Sequence, residues 1–148
     1  LAYYNKEINI RPNVSLGYRN RANLYAKKIK DYENAEADYT KAIELEPEND
    51  ENYYQRGEFY ADYLYDYDKA IKDLSKAIEL DPEDLYNYFS RGLAFNRNQQ
   101  YNRSIADYLK IEELDNDESF AKSDLELISQ WLLYKKLEEK QLILCTNG

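Results

Sequence analysis

The fold is decided by residues 53 to 84, YYQRGEFYADYLYDYDKAIKDLSKAIELDPED, which put Arg56 and Gly57 inside a run of helical spacing and close on Ile78, Leu80 and Pro82. The same pattern stands thirty-five residues earlier. Tyr18, Arg21, Ala22, Tyr25, Tyr32, Ala35, Tyr39, Ala42, Ile43, Leu45 and Pro47 return as Tyr53, Arg56, Gly57, Tyr60, Tyr67, Ala70, Leu74, Ala77, Ile78, Leu80 and Pro82. A third copy runs through Tyr88, Arg91, Gly92, Phe95, Tyr101, Ser104, Tyr108, Ile111 and Leu114. It is one residue shorter between Phe95 and Tyr101, and Asn116 stands where the proline was. So many coincident positions at one step mark an internal repeat.

Within each copy the apolar and small positions fall three and four apart, the spacing of two amphipathic helices joined by a short turn. Each helix of about 13 to 15 residues is marginal alone in water, so packing against its neighbours must supply its stability. Gly57, Gly92 and the small Ala22 are expected to let the first helix approach the second where Ala35, Ala70 and Ser104 are also small. Pro47 and Pro82 follow each IEL run and block continuation of the second helix.

The ends carry the period in broken form. Tyr4, Ile8, Ile10 and Pro12 match Tyr39, Ile43, Leu45 and Pro47, so residues 1–12 read as the second helix of an earlier repeat. The repeats then span 13–47, 48–82 and 83–116. Residues 117–144 carry Phe120, Ala121, Leu125, Ile128, Trp131, Leu132 and Leu137 without the small-residue mark, and read as a long C-terminal capping helix. Leu133, Leu142 and Leu144 are more apolar than a cap requires, which suits a further repeat or a self-association surface. The opening in mid-pattern, without Met, gives the expectation of a piece of a longer protein.

Composition narrows the functions. The 148 residues hold 20 basic and 29 acidic side chains, a net charge of -9, and 17 tyrosines. That field repels phosphate backbones, so no nucleic-acid partner is expected. With no histidine, the usual acid/base residue at neutral pH is absent, and the single Cys145 excludes an internal disulfide framework. No window approaches about 18 consecutive apolar residues, and direct membrane insertion is not expected. The chain reads as soluble, with a cytoplasmic location favoured. The acidic runs ELEPENDE and ELDPED lack the glycine and alternating spacing of a calcium loop. No phosphate-binding loop, zinc ligand set or Ser-His arrangement is present, so no metal, cofactor or enzymatic activity is expected.

The aromatic, Gly or Ala, aromatic, aromatic, Ala, Ala, Pro series of Tyr53, Gly57, Tyr60, Tyr67, Ala70, Ala77 and Pro82, preceded by Tyr18, Ala22, Tyr25, Tyr32, Ala35, Ala42 and Pro47, resembles the tetratricopeptide repeat family. The resemblance covers residues 1 to 116. It implies an all-α, right-handed α-α superhelix of antiparallel helix pairs, whose first helices line a concave groove that binds peptide segments of other proteins. The first two copies are one residue longer than the family's 34-residue unit, which implies a lengthened turn between their helices.

The groove candidates are the first-helix residues outside the packing motif. They are Arg19, Asn20, Asn23 and Lys27, then Tyr54, Gln55, Glu58 and Asp62, then Tyr86, Phe89, Ser90, Leu93, Asn96 and Arg97. Asn23 and Gln55 suit a peptide backbone, Arg19 or Lys27 an acidic group, and Tyr54 and Phe89 an apolar side chain. The alternatives are a solvated helical surface, or Phe89 packed on a neighbouring helix. One subgroup of the family clamps the terminal carboxylate of chaperone tails with five polar side chains. Arg19 and Asn23 match it in kind, Gln55 replaces its central asparagine, and Tyr86 and Ser90 replace its two later cations, which argues against that ligand here.

Arg21, Arg56 and Arg91 recur where the family more often has leucine, each with an aspartate, Asp38, Asp73 or Asp107, at a matching place on the second helix. A repeated Arg–Asp bridge is the expectation, and a phosphate-binding arginine ladder the competing reading. Function on this evidence is a peptide-binding or scaffolding module. The alternative is a homo-oligomer assembled through the array ends and the C-terminal helix.

Overall fold

The computed structural model describes residues 1–115 together with 130, 133, 134 and 137. Among them there is no strand. The chain divides into two compact units, Leu1–Pro82 and Glu83–Gly148. In the first, α1 (Ala2–Ile10) packs on α2 (Ser15–Leu24), which pairs with α3 (Tyr32–Leu45), and α4 (Asp50–Phe59) pairs with α5 (Tyr67–Leu80). Contacts of α3 with α4, and of α2 with α4, join the two pairs. The second unit holds the pair α6 (Leu85–Arg97) and α7 (Tyr101–Leu114). Most of the expected capping helix lies outside the described residues, although 130, 133, 134 and 137 are helical.

The extra residue of the first two copies does not lengthen the turn. It is absorbed inside the first helix, whose last turn is π-helical at Tyr25–Ile29 and again at Tyr60–Leu64. Beyond it both copies use the same exit: one residue in the left-handed region, Lys30 at φ 61° or Tyr65 at φ 54°, and then an aspartate. The amide of Asp31 donates to the Tyr25 carbonyl at 3.1 Å and that of Asp66 to Tyr60 at 3.0 Å, six residues back. In the shorter third copy α6 stays α-helical, Gln99 takes the left-handed position at φ 59°, and Gln100 donates to Phe95, five residues back, at 2.8 Å. The loop is therefore constant, and the insertion widens one helical turn.

Aspartates start α3 and α5, whereas α7 starts at Gln100 without a side-chain cap. Asp31 Oδ1 accepts from the Asn34 amide at 3.2 Å and Asp66 Oδ1 from the Lys69 amide at 3.1 Å, each satisfying one otherwise orphaned donor. The second helices end alike with and without proline. Glu46, Asp81 and Asp115 each donate to the carbonyl four residues back, at 3.1, 2.8 and 2.8 Å, although only the first two precede Pro47 and Pro82.

The glycines are close contacts. A Cβ on Gly57 would lie 2.8 Å from Leu74 Cγ and 3.3 Å from the Ala70 carbonyl oxygen, and one on Gly92 would lie 3.1 Å from Tyr108 Cζ. The same approach lets Ser104 Oγ donate to the Gly92 carbonyl at 2.7 Å. Ala22, Ala35, Ala42, Ala70, Ala77 and Ser104 are fully buried. In the first unit Phe59 forms the aromatic centre, with Tyr39 at 5.3 Å, Tyr60 at 5.7 Å and Tyr63 at 6.1 Å between ring centroids.

Candidate functional site

The recurring arginines bridge helix pairs, as expected. Arg21 Nε and Nη2 donate to Asp38 at 2.7 and 2.8 Å, Arg56 to Asp73 at 2.7 and 3.0 Å, and Arg91 to Asp107 at 2.9 and 2.6 Å. These are forked, two-point pairs with largely buried carboxylates. A third donor reaches the preceding second helix: Arg21 Nη1 to Asn5 at 2.8 Å and Arg56 Nη1 to Thr40 at 3.0 Å. Aromatic rings flank the guanidinium groups, Tyr18 and Tyr25 at Arg21, Tyr60 at Arg56, and Tyr88 and Phe95 at Arg91. Burial works against the charge of Arg56, but hydrogen bonding and attraction to Asp73 raise its pKa above the ordinary arginine value. With the fork of each guanidinium occupied by an aspartate, these arginines are structural ties and not a phosphate ladder.

The surface of α2 and α4 carries a different network. Arg19 Nη1 donates to Asn52 Oδ1 at 3.0 Å, and Asn52 Nδ2 donates in turn to the carbonyls of Ala42 and Glu46 at 3.2 and 3.3 Å. Asn23 Nδ2 donates to Gln55 Oε1 at 3.3 Å, Tyr39 Oη donates to Asn23 Oδ1 at 3.0 Å, and Gln55 Nε2 donates to Glu51 at 2.8 Å. Burial of the Tyr39 phenol raises its pKa and keeps it a neutral donor. The structure thus brings three of the sequence candidates, Arg19, Asn23 and Gln55, onto one half-exposed polar strip across adjacent first helices. Each side chain is oriented by a partner and retains further N–H groups directed by that partner's geometry.

The other candidates separate. Asn20, Tyr54 and Glu58 are half-buried on α2 and α4, whereas Lys27 and Asp62 are exposed on the two π-helical turns. In the second unit Tyr86 and Arg97 are exposed, and Leu93 and Asn96 are half-buried. Phe89 lies edge-on to Tyr108 at 6.0 Å, the packed arrangement weighed as its alternative. Ser90 is only 8% exposed, so it offers little surface to a ligand.

Sequence reasoning missed Asn52, the buried anchor of Arg19. Its recurrence as Asn87, thirty-five residues on, was the available signal. Phe59 was missed because its repeat equivalents are Leu24 and Ala94, and no motif marks it. Among the described residues no group of three or more His, Cys, Asp or Glu could hold a metal ion, and no helix is long and apolar enough to cross a membrane.

No curated protein matches the sequence. Among solved structures, the first TPR domain of human RPAP3 is 28% identical, with TM-score 0.71, covering 84% of this chain and 97% of that one. The first TPR of Spaghetti (RPAP3), bound to the HSP90 peptide SRMEEVD, is 28% identical with TM-score 0.68, covering 80% and 93%. The TPR2B domain of yeast Sti1, in a pHsp70 complex, is 25% identical with TM-score 0.72, covering 82% and 97%. Models of the tetratricopeptide repeat and TPR repeat match residues 18–49 and 66–99, the first segment holding most of the α2–α3 pair and the second α5 followed by α6. With paired helices, a 35-residue period and these matches in agreement, the chain belongs to the tetratricopeptide repeat family.

Proposed function

We propose that this chain is a protein-interaction module that holds a peptide segment of a partner protein on the first-helix face of α2 and α4. The observation that carries the reading is the oriented strip of Arg19, Asn23 and Gln55. Neutral amides fixed by Tyr39 and Glu51 suit the carbonyls of an extended backbone, and the Arg19 guanidinium, hydrogen-bonded to the Asn52 amide within electrostatic reach of Glu46, suits an anionic group. Similar TPR domains bound to HSP90 and HSP70 peptides support peptide recognition. Tyr86 and Ser90, in place of the later cations of the chaperone-tail clamp, favour a segment without a paired carboxylate terminus. The half-buried Tyr54 and Glu58 of α4 extend the candidate surface.

The test is selection from a displayed peptide library, followed by titration of the selected peptides. An Arg19→Ala, Asn23→Ala, Gln55→Ala triple variant, checked for unchanged helicity, is expected to lose at least about tenfold in affinity, the equivalent of ~1.4 kcal/mol. Equal binding to both forms would refute the assignment.

A second reading, self-association through the C-terminal segment, is favoured by Leu133, Tyr134 and Leu137. These helical residues share one face and are each more than half exposed. Concentration-dependent mass that is lost on Leu133→Glu tests it.

A further inference from the structure

Two cations flank Asn23 on the first helix of the first copy. Arg19 stands one turn before it and Lys27 one turn after, about 12 Å from end to end along the helix axis. In a regular α-helix a residue four positions on is rotated by about 40° from its partner. The π-helical turn Tyr25–Ile29 takes more residues per turn, so the insertion keeps Lys27 in line with Asn23. From there the exposed run Lys27, Lys28, Ile29 and Lys30 leads to the left-handed exit at Lys30.

These lysines differ from others in the chain. Lys41, Lys69, Lys76 and Lys110 each pair with a carboxylate. Among the described residues Lys27, Lys28 and Lys30 form no ion pair. Asp31, the nearest carboxylate in sequence, accepts instead from the backbone and side-chain amides of Asn34 at 3.2 and 2.7 Å. Three unpaired positive charges thus stand together in a chain of net charge -9, around an isoleucine that is 45% exposed. The corresponding run of the second copy, Asp62, Tyr63, Leu64 and Tyr65, holds no cation.

The complement of this surface is an anionic segment with an apolar residue. We infer that the partner peptide carries a run of Asp or Glu side chains, with an apolar residue among them, that docks on Lys27, Lys28, Ile29 and Lys30 beside the Arg19, Asn23 and Gln55 strip. Carboxylates four residues apart in an extended chain are separated by about 13 Å, which matches the span from Arg19 to Lys27. The inference rests on the peptide-binding reading and deepens it by naming the charge of the ligand and the end of the strip where that charge sits. Other anionic partners fit less well. Basic clusters that recruit a membrane surface hold about four to eight cations, each contributing about 1 kcal/mol, whereas three stand here against the net negative charge. A nucleic-acid backbone meets the same repulsion.

The whole chain is presented to a random displayed-peptide library, and the selected peptides are titrated against three proteins. These are the unchanged chain, a Lys27→Gln, Lys28→Gln, Lys30→Gln variant, and the Arg19→Ala, Asn23→Ala, Gln55→Ala variant. The lysines are exposed and Gln99 already holds the left-handed position in the third copy, so the glutamines suit the fold, which circular dichroism melting checks. The selected peptides are expected to be rich in Asp and Glu, and to bind the lysine variant at least about tenfold more weakly at low salt, with the difference shrinking as salt is raised. Exchanging the acids of a selected peptide for Asn and Gln is expected to cost a similar factor against the unchanged chain and little against the lysine variant. Peptides that lose affinity on the strip variant yet bind the lysine variant unchanged would overturn the inference alone. Peptides indifferent to both variants, or a library that yields no ligand, would overturn the peptide-binding reading as well. Lysine-dependent binding to phosphatidylserine vesicles, with no acidic peptide selected, would assign the patch to a lipid surface and overturn the inference.

Discussion

Replacing Arg56 by leucine strands a buried charge. The Arg56 and Asp73 side chains are 17% and 7% exposed, they share two hydrogen bonds of 2.7 and 3.0 Å, and the third donor ties Arg56 to Thr40 on α3. Removing one partner of a buried ion pair costs about 3–5 kcal/mol, because the remaining carboxylate loses its counter-charge without regaining water. Leucine restores part of the apolar volume of the arginine stem, whose guanidinium lies over the Tyr60 ring, so the lower end, ~3 kcal/mol, is expected. For a chain of this size each kcal/mol moves the melting temperature by about 2–4 °C, giving a fall of roughly 6–12 °C. Thermal melting at neutral pH, followed by circular dichroism, reads it. Adding Asp73→Asn removes the stranded charge and is expected to recover at least half of the loss, so the double-mutant cycle yields a coupling of at least ~1 kcal/mol. An unchanged melting point for Arg56→Leu, or a double variant no more stable than the single, would refute the buried-tie reasoning.

Three further outcomes follow from the packing and the caps. Gly57→Ala places a Cβ 2.8 Å from the branch carbon of fully buried Leu74, so it is expected to destabilise by about 1–2 kcal/mol in urea unfolding despite the helix propensity gained. Lys30→Gly relieves a side chain held at φ 61° and is expected to stabilise by up to ~1 kcal/mol, visible as a higher urea midpoint. Burial raises the Tyr108 pKa to about 12, against about 10 in the unfolded chain. The folded state then holds this proton more tightly, so the stability is fully present below about pH 10 and is lost as pH rises towards 12. Tyr108→Phe is expected to remove that part of the alkaline loss, checked by melting across this range alongside phenolate absorbance.

The repeat, its helix pairs and the Arg–Asp bridges were legible because each depends on residues close in sequence or fixed by the period. An arginine and an aspartate sixteen or seventeen residues apart, recurring together, encode a contact between paired helices directly. The longer period was legible as an insertion, but its location was not. A residue added between two helices can lengthen the loop or widen a helical turn, and the constant left-handed exit at Lys30 and Tyr65 places it in the turn. The polar strip was half legible. Arg19, Asn23 and Gln55 were identified by register, whereas Asn52, which orients Arg19, lies at the buried edge of α4 and draws its role from carbonyls at the end of α3.

The sequence by itself determined the helices and their pairing, since amphipathic spacing and small residues act within one repeat. Only the tertiary structure decided how neighbouring repeats share side chains. It determined that Arg21 and Arg56 each span three helices, that Phe59 gathers rings from two helix pairs, and that Ser90 turns inward while Arg19 remains at the surface. The reason is geometric. A period fixes which residues are equivalent, but the exposure of each depends on the size and polarity of the residue facing it from the next helix, and that residue varies from copy to copy.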